Sequence, residues 1–309
     1  MLAAFAADVR GAGRQGRASH ELRISADTRL LVIAPHPDDE MLAAGGLIQH
    51  VVDARGAVLV IYLTDGDGYP EGVQAREHVA VPTADDYRDF GKRRQHEARE
   101  ALEALKLGGS TYRFLGFPDG GLCKLMTTYW SERAAAYRSP FTRLDRPRPS
   151  ETILRDTEYR GEDLTQELAT LIDGFKPTIV LVPRPEDQHP DHCAAWFFVV
   201  DALGDVVRVR RGFRTDVITY VVHYNDWPFE ATGSTLPAPS GLNPGISGWL
   251  RVALTQAEIA RKRAALQEYK TQIKTMRWFL DGFARANELF ARPAPPHLVL
   301  PLRRNPCCR

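Results

Sequence analysis

Two short strings rich in histidine and acidic residues follow apolar, β-branched runs in this chain. The first, Pro-His-Pro-Asp-Asp-Glu at 35–40, follows the run 30–34, and the second, Gln-His-Pro-Asp-His at 188–192, follows 178–182. An open α/β sheet places its ligand crevice at the carboxyl ends of its strands, so both strings are expected at one crevice. Their imidazoles and carboxylates supply what a hydrolytic zinc site needs: metal ligands with acid–base groups beside them.

The two strings contain a complete set of ligands for one catalytic zinc ion. Such an ion takes three protein ligands and keeps one open position for water. His36, Asp39 and His192 form a set of two histidines and one aspartate that meets this requirement. Asp38 and Asp39 are adjacent, so their side chains diverge, and one can bind the metal while the other faces its water. His189 precedes the turn that leads to His192, where it can donate to an oxyanion or protonate a leaving amine.

A simpler interpretation is that the acidic residues only cap helices. Carboxylates in the first turn of a helix are stabilised by its dipole and satisfy its free N–H groups. This accounts for the acidic residues at 38–40, but not for a histidine at the strand end or for the second string. Asp191 can orient His189 or cap the following helix, and we favour the cap. The joint pattern favours a metal site.

Strands and helices alternate around these strings. Strands are predicted at 30–34, 57–64, 112–115, 179–182 and 215–222. Helices are predicted at 92–107, 164–175, 193–203 and 255–272. This alternation predicts an α/β fold with a Rossmann-like, mostly parallel sheet and helices on both faces. Stretches at about 122–160 and 225–250 interrupt the pattern, and insertions of this size at strand ends usually shape a site.

The chain is interpreted as one domain with a leader. Residues 1–27 lack clear periodicity and are predicted to be a flexible N-terminal extension. Residues 28–309 form the predicted single domain, with an insert at about 122–160 and C-terminal helices at about 255–290. The stretch 11–16 matches the dinucleotide-binding fingerprint, but no strand precedes it, so we reject the match.

Composition and charge exclude several classes of protein. The hydrophobic share of 44% and the charged share of 26% are ordinary for a soluble globular protein. A net charge of +1 gives no reason to expect nucleic acid or an anionic membrane as partner. No apolar run reaches the roughly 18 residues of a membrane span, and the start lacks the basic part of a signal peptide. Of the four cysteines, Cys307 and Cys308 are adjacent in a basic tail and form no disulfide framework, so we predict that Cys123 and Cys193 are reduced thiols in a cytoplasmic protein.

From about 29 to 290 the sequence resembles the LmbE-like or PIG-L family of zinc-dependent N-acetylglucosaminyl deacetylases. The family's first signature is a small residue or proline followed by His-Pro-Asp-Asp-Glu, and residues 35–40 match it, with Pro35 where alanine is commoner. The second signature, His-Pro-Asp-His, is matched by residues 189–192. Weaker similarities occur at 64–66, 94–97, 115–121, 262–272 and 285–288.

The resemblance implies a role for each residue of the two strings. His36, Asp39 and His192 would be the zinc ligands, and Asp38 would be the general base. His189 would stabilise the oxyanion. Some members place a tyrosine shortly before the second signature as an acid, but the five residues before His189 contain none. Protonation of the leaving group therefore falls to His189.

Two further residues are implied to contact the sugar hydroxyls or an attached group. These are Arg94 and Asp119. Alternatively, Arg94 forms a surface ion pair on a helix, or Arg93 takes its place in the site. Asp119 can instead be a turn residue with no role in binding. Thr271 stands where serine is usual in the family, and the insert at 122–160 has no clear counterpart.

The implied activity is removal of an acetyl group from an N-acetylated sugar or glycoconjugate by metal-activated water. The predicted partner is that small substrate, with no nucleic acid and no membrane span. One alternative is an amidase that cleaves another acyl group or a thiol-conjugate amide. A remote alternative is a non-catalytic, dinucleotide-binding α/β module whose His-Asp strings only cap helices.

The two interrupting stretches contain groups that suit ligand contacts. Arginine forks suit phosphate and carboxylate, so the arginines of the insert predict a sugar phosphate, nucleotide-sugar or lipid-linked glycan. These arginines are Arg133, Arg138, Arg143, Arg146 and Arg148. The alternative is a solvated loop, since acidic residues are interleaved. Trp227 and Trp249 can stack on a sugar face or pack in the core.

Overall fold

The computed structural model describes most of the predicted domain. Its described residues are 22–108, 111–131, 133, 135–228, 234–245 and 248–293. The stretch 11–16, most of the predicted extension, and the adjacent cysteines Cys307 and Cys308 lie outside the described residues.

A seven-stranded sheet forms the centre of the described structure. Its strands are β1 (Arg29–Ala34), β2 (Ala57–Thr64), β3 (Tyr112–Phe117), β4 (Ile179–Pro183), β5 (Asp216–Tyr220), β6 (Trp249–Ala253) and β7 (Asn287–Ala291). They are arranged in the order β3-β2-β1-β4-β5-β7-β6. The first five pair in parallel, and β7 is antiparallel to both β5 and β6. The prediction of a mostly parallel α/β sheet is confirmed.

Helices cover both faces of the sheet. They are α1 (Asp39–Asp53), α2 (Pro70–Glu77), α3 (Ala84–Ala104), α4 (Leu122–Thr127), α5 (Gly161–Phe175), α6 (Pro190–Val209), α7 (Gln256–Leu266) and α8 (Lys270–Gly282). Successive side chains of a strand point to opposite faces, so Leu30 and Val32 belong to one apolar cluster while Leu31 and Ile33 belong to the other. Helices α1, α3, α7 and α8 contribute to the first cluster, and α4, α5 and α6 contribute to the second.

The strand order places the two histidine strings side by side. From β1 the chain continues to β2 on one side, and β4 pairs with β1 on the other, so the order reverses between β1 and β4. The carboxyl ends of the strands at such a reversal form the ligand crevice of doubly wound sheets. One string leaves β1 and the other leaves β4, so residues more than 150 positions apart meet there.

Several element predictions are wrong in their bounds. Helix α3 begins at Ala84 rather than at 92, because Thr83 and Asp86 form a capping box before a polar first turn that hides the helical pattern. The helix predicted at 255–272 is two helices, α7 and α8. Helices α2 and α4 and strands β6 and β7 were not predicted. The β7 sequence Asn-Glu-Leu-Phe-Ala is fully buried although it starts with two polar residues.

A buried ion pair joins α7, β7 and the middle of α1. Lys262 Nζ donates to Glu288 Oε1 at 2.6 Å and to the Leu42 carbonyl at 2.9 Å. The Glu288 carboxylate accepts from the backbone N–H groups of Gly46 at 2.7 Å and Leu47 at 2.8 Å. Both charged side chains are buried, at 0% and 1% exposure. Lys262 and Glu288, which lie in the two stretches of weak family similarity at 262–272 and 285–288, are therefore partners in one buried contact.

Lys262→Met is expected to lower the free energy of unfolding by about 3–5 kcal/mol, because it leaves the Glu288 carboxylate buried without its cation. Urea denaturation of the two proteins measures the difference. Lys270→Met is the control, since Lys270 is 63% exposed and its ion pairs are on the surface, where such a change has little effect on stability. Equal midpoints and slopes for Lys262→Met and the parent protein would contradict this prediction.

The cysteines differ from expectation. Cys123 and Cys193 are disulfide-bonded in the structure rather than free thiols, so the prediction of reduced thiols is wrong for these two residues.

Across the described ranges, none of the helices combines the length and the apolar character that crossing a membrane requires.

Candidate metal centre

Three donor atoms meet at the carboxyl ends of β1 and β4. His192 Nε2 lies 3.1 Å from Asp39 Oδ2 and 3.3 Å from His36 Nδ1, and His36 Nδ1 lies 3.3 Å from Asp39 Oδ2. Ligands that bind a tetrahedral zinc ion at roughly 2.0–2.1 Å are about 3.3 Å from one another. All three side chains are buried. The predicted ligands therefore form a triangle of the size that one metal ion requires.

A carboxylate lies against the other nitrogen of each of these histidines. Asp119 Oδ1 lies 3.1 Å from His36 Nε2, and Asp187 Oδ2 lies 3.2 Å from His192 Nδ1. The second contact is at ion-pair distance without the alignment of a hydrogen bond. Histidines that bind metals usually present their second nitrogen to such a partner, which fixes the ring and its tautomer. The arrangement leaves His36 Nδ1 and His192 Nε2 facing the same point.

The electrostatics of the triangle favour a cation. Burial lowers the pKa of His192, but Asp187 and Asp39 outweigh it and raise this pKa to about 10. Burial raises the pKa of Asp39, but the charge and hydrogen bond of His192 outweigh it and hold this pKa well below its ordinary value. The carboxylates thus stabilise positive charge on the ring, and a divalent ion supplies that charge to neutral imidazoles.

Other groupings of possible ligands overlap with this triangle. Among the described residues they are His36, His189 and His192; Asp39, His192 and His223; and His36, Asp119 and Asp191. In the last grouping, His36 Nε2 lies 3.1 Å from Asp119 Oδ1 and 3.4 Å from Asp191 Oδ2, but Asp191 already accepts from two backbone N–H groups. The triangle therefore stays the predicted metal position.

Asp191 does not have either of the roles predicted for it. Its Oδ2 accepts from the Gly120 N–H at 2.7 Å, and its Oδ1 accepts from the Leu122 N–H at 3.0 Å. It thus binds the loop after β3 and the start of α4, whereas His189 is the N-cap of α6. The preference for a cap on its own helix is wrong, because the loop that carries Asp119 packs against this buried carboxylate.

Asp38 lies next to the triangle in a strained backbone conformation. It occupies the N-cap position of α1, but its side chain makes no capping hydrogen bond, which argues against the helix-cap interpretation. Its φ of 130° is unfavourable for a residue with a side chain. Burial raises the pKa of Asp38 to about 7, against the opposing charge of Arg94. A carboxyl group with a pKa near neutrality suits a general base.

Arg94 is buried and holds Asp38 in place. Its terminal nitrogens donate to the Gly66 carbonyl at 2.7 Å, the Pro37 carbonyl at 2.6 Å and Asp38 Oδ2 at 3.2 Å. Its Nε donates at 2.7 Å to the Gln272 amide oxygen in the amide orientation that satisfies both groups. The alternative of a surface ion pair is therefore wrong. Arg93 is exposed, so Arg94 rather than Arg93 enters the site. Contact of Arg94 with substrate stays a prediction.

Asp119 is more than a turn residue. Besides its contact with His36, its Oδ2 accepts from the Gly68 N–H at 2.7 Å, so it joins the loops that follow β2 and β3. Burial raises the pKa of Asp119, but the charge of His36 outweighs it and lowers this pKa below its ordinary value. Asp119 is therefore a carboxylate placed to orient His36, a predicted ligand, and its contact with substrate stays a prediction.

Residues at the start of α8 support the first string through buried hydrogen bonds. The Tyr269 hydroxyl donates to Glu40 Oε1, and Glu40 Oε2 accepts from the Asp38 N–H at 3.2 Å. Thr271 Oγ1 donates to Glu97 Oε2 at 2.6 Å. Threonine in place of the usual serine keeps this hydroxyl. The family-like residues at 262–272 therefore position the site through buried polar contacts.

His189 is the half-buried histidine beside the ligands. Its ring centroid lies 4.6 Å from that of His36 and 5.1 Å from that of His192. Its Nδ1 accepts from the Asp191 N–H at 3.3 Å, so Nε2 is the nitrogen that carries hydrogen. Burial, together with the charges of His36 and His192, lowers the pKa of His189 well below its ordinary value. A neutral ring with Nε2–H is a hydrogen-bond donor for a developing oxyanion.

The chain matches a known protein family. The family described as PIG-L: GlcNAc-PI de-N-acetylase matches residues 31–203, which is more than half of the 309-residue chain and includes both strings. The chain belongs to the PIG-L family.

Relatives of this PIG-L protein include sugar deacetylases. The 1D-myo-inositol 2-acetamido-2-deoxy-alpha-D-glucopyranoside deacetylase 1 of Saccharopolyspora erythraea is 27% identical over 270 residues, 82% of this chain and 80% of that protein. The diacetylchitobiose deacetylase of Thermococcus kodakarensis is 27% identical over 179 residues, 57% of this chain and 49% of that protein. The predictions of the family and of an enzyme of the deacetylase class are confirmed.

Solved structures confirm the fold of this PIG-L protein. The N,N'-diacetylchitobiose deacetylase of Pyrococcus horikoshii aligns with a TM-score of 0.52 and 16% identity over 89% of this chain and 88% of that chain. GalB, the 4-carboxy-2-hydroxymuconate hydratase of Pseudomonas putida, aligns with a TM-score of 0.53 and 15% identity over 88% of this chain and 100% of that chain. One fold thus supports different reactions, so the chemistry must be argued from the site.

Sequence reasoning missed two residues of the PIG-L site. Asp187 is buried, contacts His192, and accepts from the backbone N–H groups of Val222 at 2.8 Å and His223 at 3.1 Å. The His223 ring centroid lies 5.0 Å from that of His192 and 5.3 Å from that of His189. Both residues follow the carboxyl end of a strand, β4 or β5, so the rule that found the two strings could have found them.

Asp187→Asn is expected to weaken zinc binding by about 10–100-fold, because the amide removes the charge that orients and polarises His192. Competition with a coloured zinc chelator measures the affinity. Asp205→Asn is the matched control, since this residue lies on the same helix as His192 and its side chain is 38% exposed. Unchanged affinity in Asp187→Asn would show that the contact with His192 does not support the metal.

The insert of this PIG-L protein uses two of its arginines internally. Arg148 pairs with Asp65 at 2.5 Å and with Glu151, and Arg146 pairs with Glu158 at 2.6 Å. Because both arginines pair with carboxylates of this chain, neither supports a phosphate site.

The two loop tryptophans pack against other groups of this chain. Trp227 is buried, donates to the Pro237 carbonyl at 2.8 Å and packs edge-on against Phe283, as the packing alternative predicts. Trp249 is half-buried and lies under Arg184, with the guanidinium carbon 5.5 Å from its ring centroid.

Proposed function

We propose that this protein is a zinc-dependent N-deacetylase that removes the acetyl group from an N-acetylglucosamine-type sugar. The observation that carries the proposal is the triangle of His36, Asp39 and His192 with Asp38 beside it. Two imidazoles and one carboxylate with room for water are the usual ligands of catalytic zinc. The relatives that act on a GlcNAc-inositol and on diacetylchitobiose support the substrate class.

The residues around the triangle have different roles in the proposed amide hydrolysis. When bound, zinc would lower the pKa of a water molecule and polarise the acetyl carbonyl. Asp38, held by Arg94, accepts a proton from the attacking water. His189 donates from Nε2 to the carbonyl oxygen as it becomes negative. The proton that Asp38 takes from the water is then delivered to the leaving amine, because the neutral His189 ring would be left as an anion if it gave up its Nε2 hydrogen. The products are acetate and a free amino sugar.

The unit that performs this reaction is proposed to be the single domain 28–309, with 1–27 as an extension. Its partner is a small glycoconjugate. The cytoplasmic location stays a prediction, and it loses one of its supports because Cys123 and Cys193 are disulfide-bonded, a state more typical of oxidising compartments.

The experiment that tests this proposal is product analysis on a panel of N-acyl sugars. The zinc-loaded protein is incubated with N-acetylglucosamine, N,N'-diacetylchitobiose and an N-butyryl analogue, and amine release and product masses are recorded. We expect acetate and the amino sugar, with release lost on chelation and restored by zinc. Release of butyrate in preference to acetate would support an amidase for longer acyl groups. No amine from any substrate, with zinc bound, would contradict the proposal.

A further inference from the structure

The insert contributes one side of a buried charge network next to the metal centre. Arg148 Nη2 donates to Asp65 Oδ2 at 2.5 Å, and Arg148 Nε donates to Glu151 Oε1 at 2.8 Å. Gln95 Nε2 donates to Asp65 Oδ1 and to Glu151 Oε1, both at 2.7 Å. Asp65, Gln95 and Glu151 are buried, and Arg148 is half-buried. We call these four residues the insert anchor.

The insert anchor holds two carboxylates together, and Arg148 pairs with both of them. The repulsion between them acts on Asp65: burial and the charge of Glu151 raise its pKa to about 7, against the opposing charge of Arg148. Removing one partner of a buried ion pair leaves the other charge uncompensated. Without Arg148, the two carboxylates are therefore expected to move apart.

The loop that begins at Asp65 holds the residue that positions the proposed base. Gly66, the next residue, accepts from Arg94 at 2.7 Å through its carbonyl, and Arg94 also donates to Asp38 Oδ2 at 3.2 Å. The guanidinium lies directly against this turn, since a Cβ on Gly66 would clash with it. A displacement of Asp65 would therefore move a carbonyl that holds Arg94.

The same loop also supports one of the predicted metal ligands. The Gly68 N–H donates to Asp119 Oδ2 at 2.7 Å, and Asp119 Oδ1 lies 3.1 Å from His36 Nε2. The insert packs on this end of the loop as well, because a Cβ on Gly68 would come within 3.0 Å of the Phe141 ring. The insert thus contacts the loop at both of its ends.

We propose that Arg148 is a positioning residue of the metal centre. Its ion pair with Asp65 fixes the loop 65–68. Through that loop it holds Arg94 beside the proposed base and Asp119 beside a predicted metal ligand. This inference rests on the proposed function and deepens it, because it makes the insert a working part of the catalytic centre.

Arg148→Met is expected to lower kcat for N-acetylglucosamine about tenfold with KM within about twofold, because the chemical step loses its alignment while binding is kept. Zinc affinity is expected to fall about tenfold, the low end of the cost of disturbing a ligand's supporting contacts. Amine release and competition with a coloured zinc chelator measure the two effects. Arg146→Met is the matched control, since Arg146 is 54% exposed and pairs with Glu158 at the surface. It is expected to keep the parental values.

A double variant distinguishes this role from a contribution to stability alone. Arg148→Met/Asp65→Asn removes both charges of the ion pair and keeps an oxygen that accepts from Gln95. Its kcat and zinc affinity are expected to return to within about threefold of the parent. A lower unfolding midpoint for Arg148→Met, with parental kcat and zinc affinity in the folded protein, would overturn the inference. No recovery in the double variant would overturn it as well.

Hydrogen–deuterium exchange of the metal-free proteins separates this inference from the proposed function. The backbone amides of 65–68 and 118–121 are expected to exchange faster in Arg148→Met than in the parent, and at the parental rate in Arg146→Met. Faster exchange and weaker zinc binding, with no amine release from either protein, would retain the positioning role and reject the deacetylase. Amine release with equal kcat, zinc affinity and exchange in both proteins would reject the positioning role and retain the deacetylase.

Discussion

Asp38→Asn is expected to lower kcat by about 10²–10⁴-fold while one zinc ion per chain stays bound. The amide keeps the size of the side chain and a hydrogen-bond acceptor for Arg94, but it cannot take a proton from water. Because Asp38 lies beside the ligand triangle rather than in it, the affinity for metal is expected to stay within a fewfold of the parent value. Steady-state amine release and metal analysis of the same samples measure both effects.

Asp89→Asn is the matched control for this variant. It makes the same chemical change on α3, where the Asp89 side chain is 68% exposed and forms a surface ion pair with Lys92. Its kcat is expected to equal that of the parent. A near-parental rate in Asp38→Asn would reject Asp38 as the base, and loss of zinc from Asp38→Asn would make it a ligand instead.

His192→Ala is expected to empty the metal site and to abolish amine release. His192 is fully buried and faces Asp39 and His36 through Nε2, so its removal takes one of three ligands from the triangle. Zinc content is expected to fall from one ion per chain to near zero after dialysis. His36→Ala is expected to do the same, because it removes the ligand on the opposite strand end.

Two further histidine variants show whether the loss is specific. His96→Ala, at a side chain that is 54% exposed on α3, is expected to keep both zinc and activity. His189→Ala is expected to keep zinc but to lose at least 100-fold in kcat, the usual order of cost of removing an oxyanion donor. Retention of zinc by His192→Ala would place the ion at His36, Asp119 and Asp191. Loss of zinc from His189→Ala would place it at His36, His189 and His192.

The ligand triangle was predictable because its signal is local in the sequence. His36, Asp39 and His192 each lie just beyond a buried strand, and the reversal of strand order in a parallel sheet brings such ends together. Helix boundaries were less predictable where polar residues cap or fill the first turn, as in α3. The sheet edge formed by β6 and β7 was missed because its pairing joins residues such as Leu250 and Phe290 that are distant in sequence.

The supporting contacts could not be predicted because they depend on tertiary packing. Nothing near Arg94 in the sequence indicates that its guanidinium reaches Pro37, Asp38 and Gln272. In the same way, the partner of Lys262 is on β7, and the partner of Asp65 is Arg148 in the insert. A polar segment gives no sign of which of its charged residues the fold buries as paired groups.

The most direct test of the central claim is anomalous diffraction at the zinc edge from crystals of the zinc-loaded protein. The account predicts one peak per chain, at roughly 2.0–2.2 Å from His36 Nδ1, Asp39 Oδ2 and His192 Nε2, with Asp38 outside bonding distance. A peak bound by Asp119 and Asp191 instead, or no peak within reach of His36 and His192, would contradict it.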